Sequence, residues 1–205
     1  MTIRVCVTGG IACGKSLVAG FLKEAGIPVI DADDVCHDLM RAGRPEHGRI
    51  VEVFGSDVLA KNGEIDRRRL GRIVFESAAR RADLETILHP AADRAIEAWI
   101  AGYAGTPWLA AVVPLVYEVG WESRWDRLVC VAAPVKLQIE RLVARGLSPE
   151  EAGARVAAQM PIEEKMRRAD LVVFNAGPRG LTREQTDKMI EQFSEQGEIS
   201  NGRQA

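Results

Sequence analysis

The 205-residue chain predicts an α/β fold of three layers, in which a parallel five-stranded sheet is covered by helices on both faces. Three observations predict it. Short apolar runs recur at Ile3 to Val7, Ile27 to Ile30, Leu109 to Val113, Leu128 to Val131 and Leu171 to Phe174. Their continuous apolar character marks strands buried on both faces. Segments of helical spacing separate them, as the crossovers between parallel strands require. Finally, Gly9-Gly10-Ile11-Ala12-Cys13-Gly14-Lys15-Ser16 matches the phosphate-loop pattern G-x-x-x-x-G-K-[ST] between the first run and a helix, which is the context that gives the pattern its meaning.

Each residue type in that loop has a physical task. Glycines at 9, 10 and 14 permit backbone angles and close approaches that a Cβ forbids, so that successive N–H groups can point at phosphate oxygens. The helix that follows adds its positive end. Lys15 is a mobile point charge suited to the β- and γ-phosphates, and the Ser16 hydroxyl suits one position around Mg²⁺. Leu17, Val18, Phe21 and Leu22 carry the helical spacing onward to the stop at Ala25-Gly26.

The second run ends in Asp31-Ala32-Asp33-Asp34, which delivers carboxylates to the strand end where open α/β sheets bind ligands. The same aspartates also suit a helix N-cap before Val35. From Val35 to about Ile100 the pattern is helical, with one helix ending at His89-Pro90, and it reads as a lobe inserted into the sheet. The third run leads into Pro114-Leu115-Val116-Tyr117-Glu118. Two helices lie between the fourth and fifth runs, the second opened by the capping box Ser148-Pro149-Glu150-Glu151. Arg141 and Arg145, four residues apart, are expected to share one helix face and converge on a phosphate, the geometry of a lid. The tail beyond about Gly197 is expected to be disordered.

Composition removes several classes of function. A net charge of -2 supplies no field for a nucleic acid backbone or an anionic membrane, and 5% aromatic residues leave little for base stacking. Neither a signal peptide nor a membrane span is expected. Cysteines at 6, 13, 36 and 130 form no C-x-x-C pair and resemble neither a disulfide framework nor a zinc site, so a reducing, cytoplasmic setting is expected. Cys13 carries two readings: a small residue in a serine position, or a thiol ionised by the helix end and Lys15.

Taken together, these residues resemble the dephospho-coenzyme A kinase family, P-loop kinases related to the nucleotide monophosphate kinases. The resemblance covers nearly the whole chain. It rests on Thr8-Gly9-Gly10-Ile11 with Gly14-Lys15-Ser16, Val29-Ile30-Asp31-Ala32-Asp33, Gly63-Glu64-Ile65-Asp66-Arg67 with Leu70 and Phe75, and Leu84-Glu85 with Ile87 and His89-Pro90. It continues through Pro114-Leu115 with Glu118, Gln138 with Arg141 and Arg145, Gln159, and Ala169-Asp170 with Asn175.

The resemblance implies a P-loop NTPase fold with a core of about 1–32, 101–140 and 169–196, an inserted helical acceptor lobe of about 33–100 and a helical lid of about 141–168. It implies transfer of the ATP γ-phosphoryl to the ribose 3′-hydroxyl of dephospho-coenzyme A, with Mg²⁺. Lys15, Asp33, Arg141 and Arg145 would be catalytic, Gly10 to Leu17 would hold ATP, and Ser16 would meet the metal. Asp33 would take the proton of the attacking hydroxyl, while Asp31 would support Mg²⁺ or the loop. Thr8, Asp31, Asp33, His89 and Glu118 would line the acceptor side. His89 could equally end a helix, and Glu118 could hold a Mg²⁺-bound water or an arginine. A monomer or small homo-oligomer is expected.

Three positions depart from the family's usual pattern: Ala12-Cys13 for Gly-Ser, Leu17 for threonine and Val116-Tyr117 for Leu-Phe. None removes a required group, since backbone amides hold the phosphate. Other small-molecule or nucleotide kinases share the loop. A GTPase lacks support, because no N-K-x-D segment is present and Asn175-Ala176-Gly177 does not supply one. A regulator without catalysis is disfavoured by the presence of Lys15, Ser16, Asp33 and both arginines.

Overall fold

The computed structural model describes residues 2–202, with side chains as far as Glu195. Two compact units emerge, one built from Met1–Asp31 with Tyr103–Ala205 and the other from Ala32–Gly102.

The first unit contains the sheet. Strands β1 (Ile3–Gly9), β2 (Val29–Asp31), β3 (Trp108–Val112), β4 (Arg127–Ala132) and β5 (Leu171–Phe174) lie in the order β2-β3-β1-β4-β5. Every neighbouring pair is parallel. The central strand β1 therefore has strands on both sides, and the loop after Gly9 leaves the middle of the sheet edge. Val5, Val7, Trp108, Leu109, Val129 and Val131 are all at most 1% exposed, as the continuous apolar runs require.

Helix α1 (Lys15–Glu24) packs on β1 and against α9 (Arg179–Gly202). Trp108 of β3 meets Phe193 of α9 edge-on at 5.6 Å, and its indole N–H donates to Ser194 Oγ. Contrary to the expected disordered tail, α9 runs on to Gly202; residues 203–205 lie outside the described residues.

Between β4 and β5 stand three helices rather than the expected two: α6 (Val135–Val143), α7 (Pro149–Ala157) and α8 (Ile162–Arg168). The capping box of Ser148 and Glu151 opens α7 as predicted. Pro161 causes the extra break, because it disfavours helical angles at Met160 and starts a new helix as the N-cap of α8.

The second unit holds α2 (Ala32–Leu39), α3 (Pro45–Phe54), α4 (Arg67–Glu76) and α5 (Ala78–Ala101). Ile50, Phe54, Val58, Ile65, Leu70, Ile87 and Leu88 form its core. A tight hairpin, bridged at Leu59 and Ile65, leads to Asp66, whose carboxylate caps α4 by accepting from the Arg68 and Arg69 amides. The expected helix end at His89-Pro90 is not found, since α5 passes through Pro90. A proline inside a helix costs about 3 kcal/mol. Beyond it Ile96 and Ile100 are buried, each worth about 1.5–3 kcal/mol, so continuing the apolar face outweighs the lost hydrogen bond.

Candidate functional site

The phosphate loop spans the gap between β1 and α1, and its glycines have identifiable necessities. Gly9, at φ 141°, would place a Cβ 2.1 Å from the Val131 carbonyl oxygen of β4, while Gly14, at φ 104°, would drive one to 2.1 Å from Asn175 Nδ2. Gly10 would bring a Cβ to 2.8 Å from Gln138 Oε1. The loop thus lies flat against its supports.

Two of its carbonyls, those of Ala12 and Cys13, are turned outward. Cys13 O accepts from Asn175 Nδ2 at 2.8 Å, and Ala12 O from the Arg141 guanidinium at 3.0 Å; the same guanidinium donates to Asn175 O at 2.9 Å. In a trans peptide the N–H points opposite to the C=O, so anchoring Cys13 O outward aims the Gly14 N–H into the concavity. Thr182 Oγ1 donates to Asn175 Oδ1 at 2.9 Å and locks the amide's orientation. Lys15 curls back over the loop, its ammonium donating to Gly9 O at 3.1 Å and Gly10 O at 2.9 Å. Ser16 is exposed and Leu17 half-buried on the first turn of α1.

Ala12 is the one described residue other than glycine with positive φ, at 58°. Left-handed backbone costs a side chain about 1–2 kcal/mol. Its methyl packs with Leu142 of α6 and Ala152 of α7, which returns about 0.8 kcal/mol, and alanine stiffens the unfolded chain by a further 0.4–1 kcal/mol or so relative to glycine. The terms nearly cancel, which is why alanine stands here without disrupting the loop.

Cys13 is wholly buried. Burial pushes its thiol above the ordinary value, against the opposing pull of Lys15 and Arg141. The reading of a readily ionised thiol is therefore corrected: desolvation at this position outweighs the nearby cations. Iodoacetamide at neutral pH is expected to label Cys13 more slowly than half-buried Cys36, since its raised pKa leaves less thiolate and its burial blocks the reagent. Peptide mapping by mass spectrometry decides it, and rapid labelling of Cys13 in the native chain would restore the rejected reading.

Other expected residues have specific surroundings. The Thr8 hydroxyl is buried and donates to Pro114 O at 3.1 Å. Glu118 is exposed at the surface, and its Oε1 lies 2.7 Å from Lys165 Nζ and accepts from the Met160 N–H at 3.1 Å. Lys165 is fully buried and also donates to Pro114 O at 2.8 Å. Arg141 sits on α6, but that helix ends at Val143, so Arg145 lies in the following turn and is exposed instead of sharing the helical face. Asp31 ends β2.

Asp33 and His89 belong to the second unit, Asp33 exposed on the first turn of α2 and His89 half-buried in the middle of α5. Asp33 is thus inside the helix, not its N-cap. The same unit contains an open cleft of about 960 Å³ whose lining includes Asp34, His37, Arg41, Glu64, Arg67 and Arg68. Lys165 and the anchoring roles of Asn175 and Gln159 were not legible as such, because a lysine in a charged helix reads as solvated. The spacing of Lys165 from buried Ile162 was the available signal.

Known proteins share this arrangement along almost the whole chain. The Dephospho-CoA kinase (CoaE) family model matches residues 3–179. A Dephospho-CoA kinase of Symbiobacterium thermophilum is 46% identical over 184 residues, covering 88% of this chain and 77% of its own length. That of Geobacillus kaustophilus is 41% identical over 198 residues, covering 94% and 98%. Among solved structures, TT1252 from Thermus thermophilus superposes with a TM-score of 0.82 at 35% identity, covering 93% of this chain and 97% of that one. The Dephospho-CoA kinase from Campylobacter jejuni gives 0.71 at 30%, covering 95% and 98%. With the phosphate loop, its outward-anchored carbonyls and matches of this extent, the chain belongs to the dephospho-CoA kinase family.

Proposed function

We propose that this chain transfers the γ-phosphoryl group of ATP to the 3′-hydroxyl of dephospho-coenzyme A, the last step of coenzyme A synthesis, with the labour divided as follows. The phosphate loop from Gly10 to Leu17 holds the triphosphate, with the Gly14 N–H and the first amides of α1 turned toward it. Lys15 leaves the Gly9 and Gly10 carbonyls for the β- and γ-phosphates, exchanging two neutral acceptors for charged ones. Arg141 supports the loop from behind through Ala12 O and Asn175 O, and exposed Arg145 closes on the phosphates from the lid. Asp33 accepts the proton of the attacking hydroxyl.

The observation that carries this reading is the outward anchoring of Cys13 O by Asn175 and Arg141, which leaves the start of α1 with its amides and positive end directed at an anion. Mg²⁺ fits this loop as a companion of the nucleotide. Among the described residues no three His, Cys, Asp or Glu side chains gather to hold a metal, whereas the exposed Ser16 hydroxyl offers one oxygen, the pattern of an ion bound mainly by phosphates and water. Bound there, it would neutralise charge on the β- and γ-phosphates.

For the acceptor, we assign the cleft of the second unit, where Arg41, Arg67 and Arg68 lie among its lining residues. Neither Arg67 nor Arg68 has an ion-pair partner among the described residues, and guanidinium pairs suit a diphosphate bridge. A coupled ADP-release assay tests both assignments. Dephospho-coenzyme A is expected to be preferred over adenosine and AMP, and Arg68→Ala to raise its KM about tenfold, the scale of one charge-assisted contact, with the KM for ATP unchanged. Equal turnover of all acceptors would overturn the substrate assignment, and an unaltered KM in the variant would overturn the cleft.

A further inference from the structure

The turn at the front of the phosphate loop runs from Gly10 to Cys13, closed by the Cys13 N–H on Gly10 O at 3.3 Å. Ile11 and Ala12 are its central residues, and Ala12 holds the strained positive φ. Strain of this kind persists only where the surroundings over-determine it. On the Ala12 side the surroundings are the Arg141 guanidinium and the contact with Leu142 and Ala152. On the Ile11 side the Ile11 N–H donates to Gln159 Oε1 at 2.8 Å, across 148 residues of sequence.

Gln159 sits in the break between α7 and α8. Its neighbour Met160 is pinned there by the Glu118 carboxylate, and Glu118 in turn is held by the buried ammonium of Lys165, which also grips Pro114 O at the exit of β3. A buried ammonium such as that of Lys165 is costly unless it is paired and its remaining hydrogen bonds are met. Here the Lys165 ammonium has a carbonyl as well as the carboxylate, and Glu118 has a backbone amide as well as the lysine. That bonding pattern makes a rigid support.

We propose that Gln159 is a positioning residue for the phosphate loop, acting through the Ile11 amide, and that Glu118 with Lys165 forms the mount that holds Gln159 in reach. Glu118 then serves the loop rather than the acceptor. Gln159 touches no reacting atom: it keeps the turn in the conformation in which the amides that follow face the triphosphate, so its removal weakens nucleotide binding without altering the acceptor side. The inference rests on the loop being the ATP site.

The test is calorimetric titration of ADP into the full chain, with thermal unfolding and the KM for each substrate measured alongside. Gln159→Met keeps the length of the side chain and removes its oxygen; it is expected to weaken ADP about fivefold, the scale of one hydrogen bond, with the acceptor KM unchanged. Gln159→Glu keeps the accepting oxygen and is expected to bind ADP within about twofold of the parent, since the acceptor, not the amide donor, makes the contact. Glu118→Gln loosens the mount and should weaken ADP by a factor that does not add to that of Gln159→Met in the double variant. A parent chain that binds no ADP sinks the phosphate-loop reading itself. A parent that binds, with Gln159→Met equal to it or with Gln159→Glu as weak as Gln159→Met, sinks the positioning role alone. A lower unfolding temperature with unchanged ADP affinity would likewise reduce Gln159 to packing, and additive losses in the double variant would remove Glu118 and Lys165 from the mount.

Discussion

Lys15→Met is expected to lower kcat/KM by about a thousandfold or more, the loss associated with removing a charge aimed at the transferring phosphoryl group. The native fold should be nearly indifferent to the change. The Lys15 ammonium donates to two loop carbonyls, Gly9 O and Gly10 O, and the residue is half-buried at the surface of the first unit. Methionine preserves most of the stem's apolar packing, and net hydrogen bonds of this type are worth about 0.5–1.5 kcal/mol each. The expected result is therefore a chain that unfolds within a few degrees of the parent and binds nucleotide weakly, with almost no ADP release in the coupled assay. Turnover within tenfold of the parent would mean that the ammonium remains on the carbonyls during the reaction, and the proposed exchange of partners would have to be abandoned.

The second large effect is expected at Asp33. Asp33→Asn keeps the shape and removes the basic oxygen, and a positioned general base contributes about 10²–10⁴-fold, so kcat should fall by that range. ADP affinity should stay within about twofold, because the amides of the phosphate loop grip the nucleotide and do not depend on this side chain. Stability should change little. Asp33 is exposed on the first turn of α2, where losing a negative charge costs roughly 0.3–1 kcal/mol through the helix dipole. The split between kcat and ADP affinity is the diagnostic, since Lys15→Met moves both and Asp33→Asn moves one. A kcat within a few-fold of the parent would reduce Asp33 to a first-turn carboxylate without chemical duty.

The two variants also separate what was readable from what was not. The phosphate loop was legible because its demands are local. Eight consecutive residues, three of them glycines with steric reasons for being so, sit between a strand and a helix whose periodicities are both short-range. Parallel pairing followed from the same runs, because strands joined through helices and apolar on both faces have few other solutions.

Where local rules misled, a larger burial overrode them. Pro90 reads as a stop, yet α5 continues because Ile96 and Ile100 have an apolar core to enter. Two helices are expected between β4 and β5, yet Pro161 divides the second into α7 and α8, and the break is where Gln159 reaches the loop. Cys13 beside Lys15 suggests a reactive thiol until its complete burial is known.

From the order of its residues alone, the chain determined a phosphate cradle at the end of its first strand, the succession of strands and helices around it, and its kinship, all of which depend on neighbours within a few positions. The folded arrangement decided which charges face one another. Glu118 meets Lys165, Arg141 turns to the carbonyls of Ala12 and Asn175, and Gln159 reaches Ile11. Those partners lie tens to well over a hundred residues apart along the chain, and a charged or amide side chain carries no mark of its distant partner. Only closing the sheet and its helices brings the two together and excludes the water that would otherwise satisfy each of them separately.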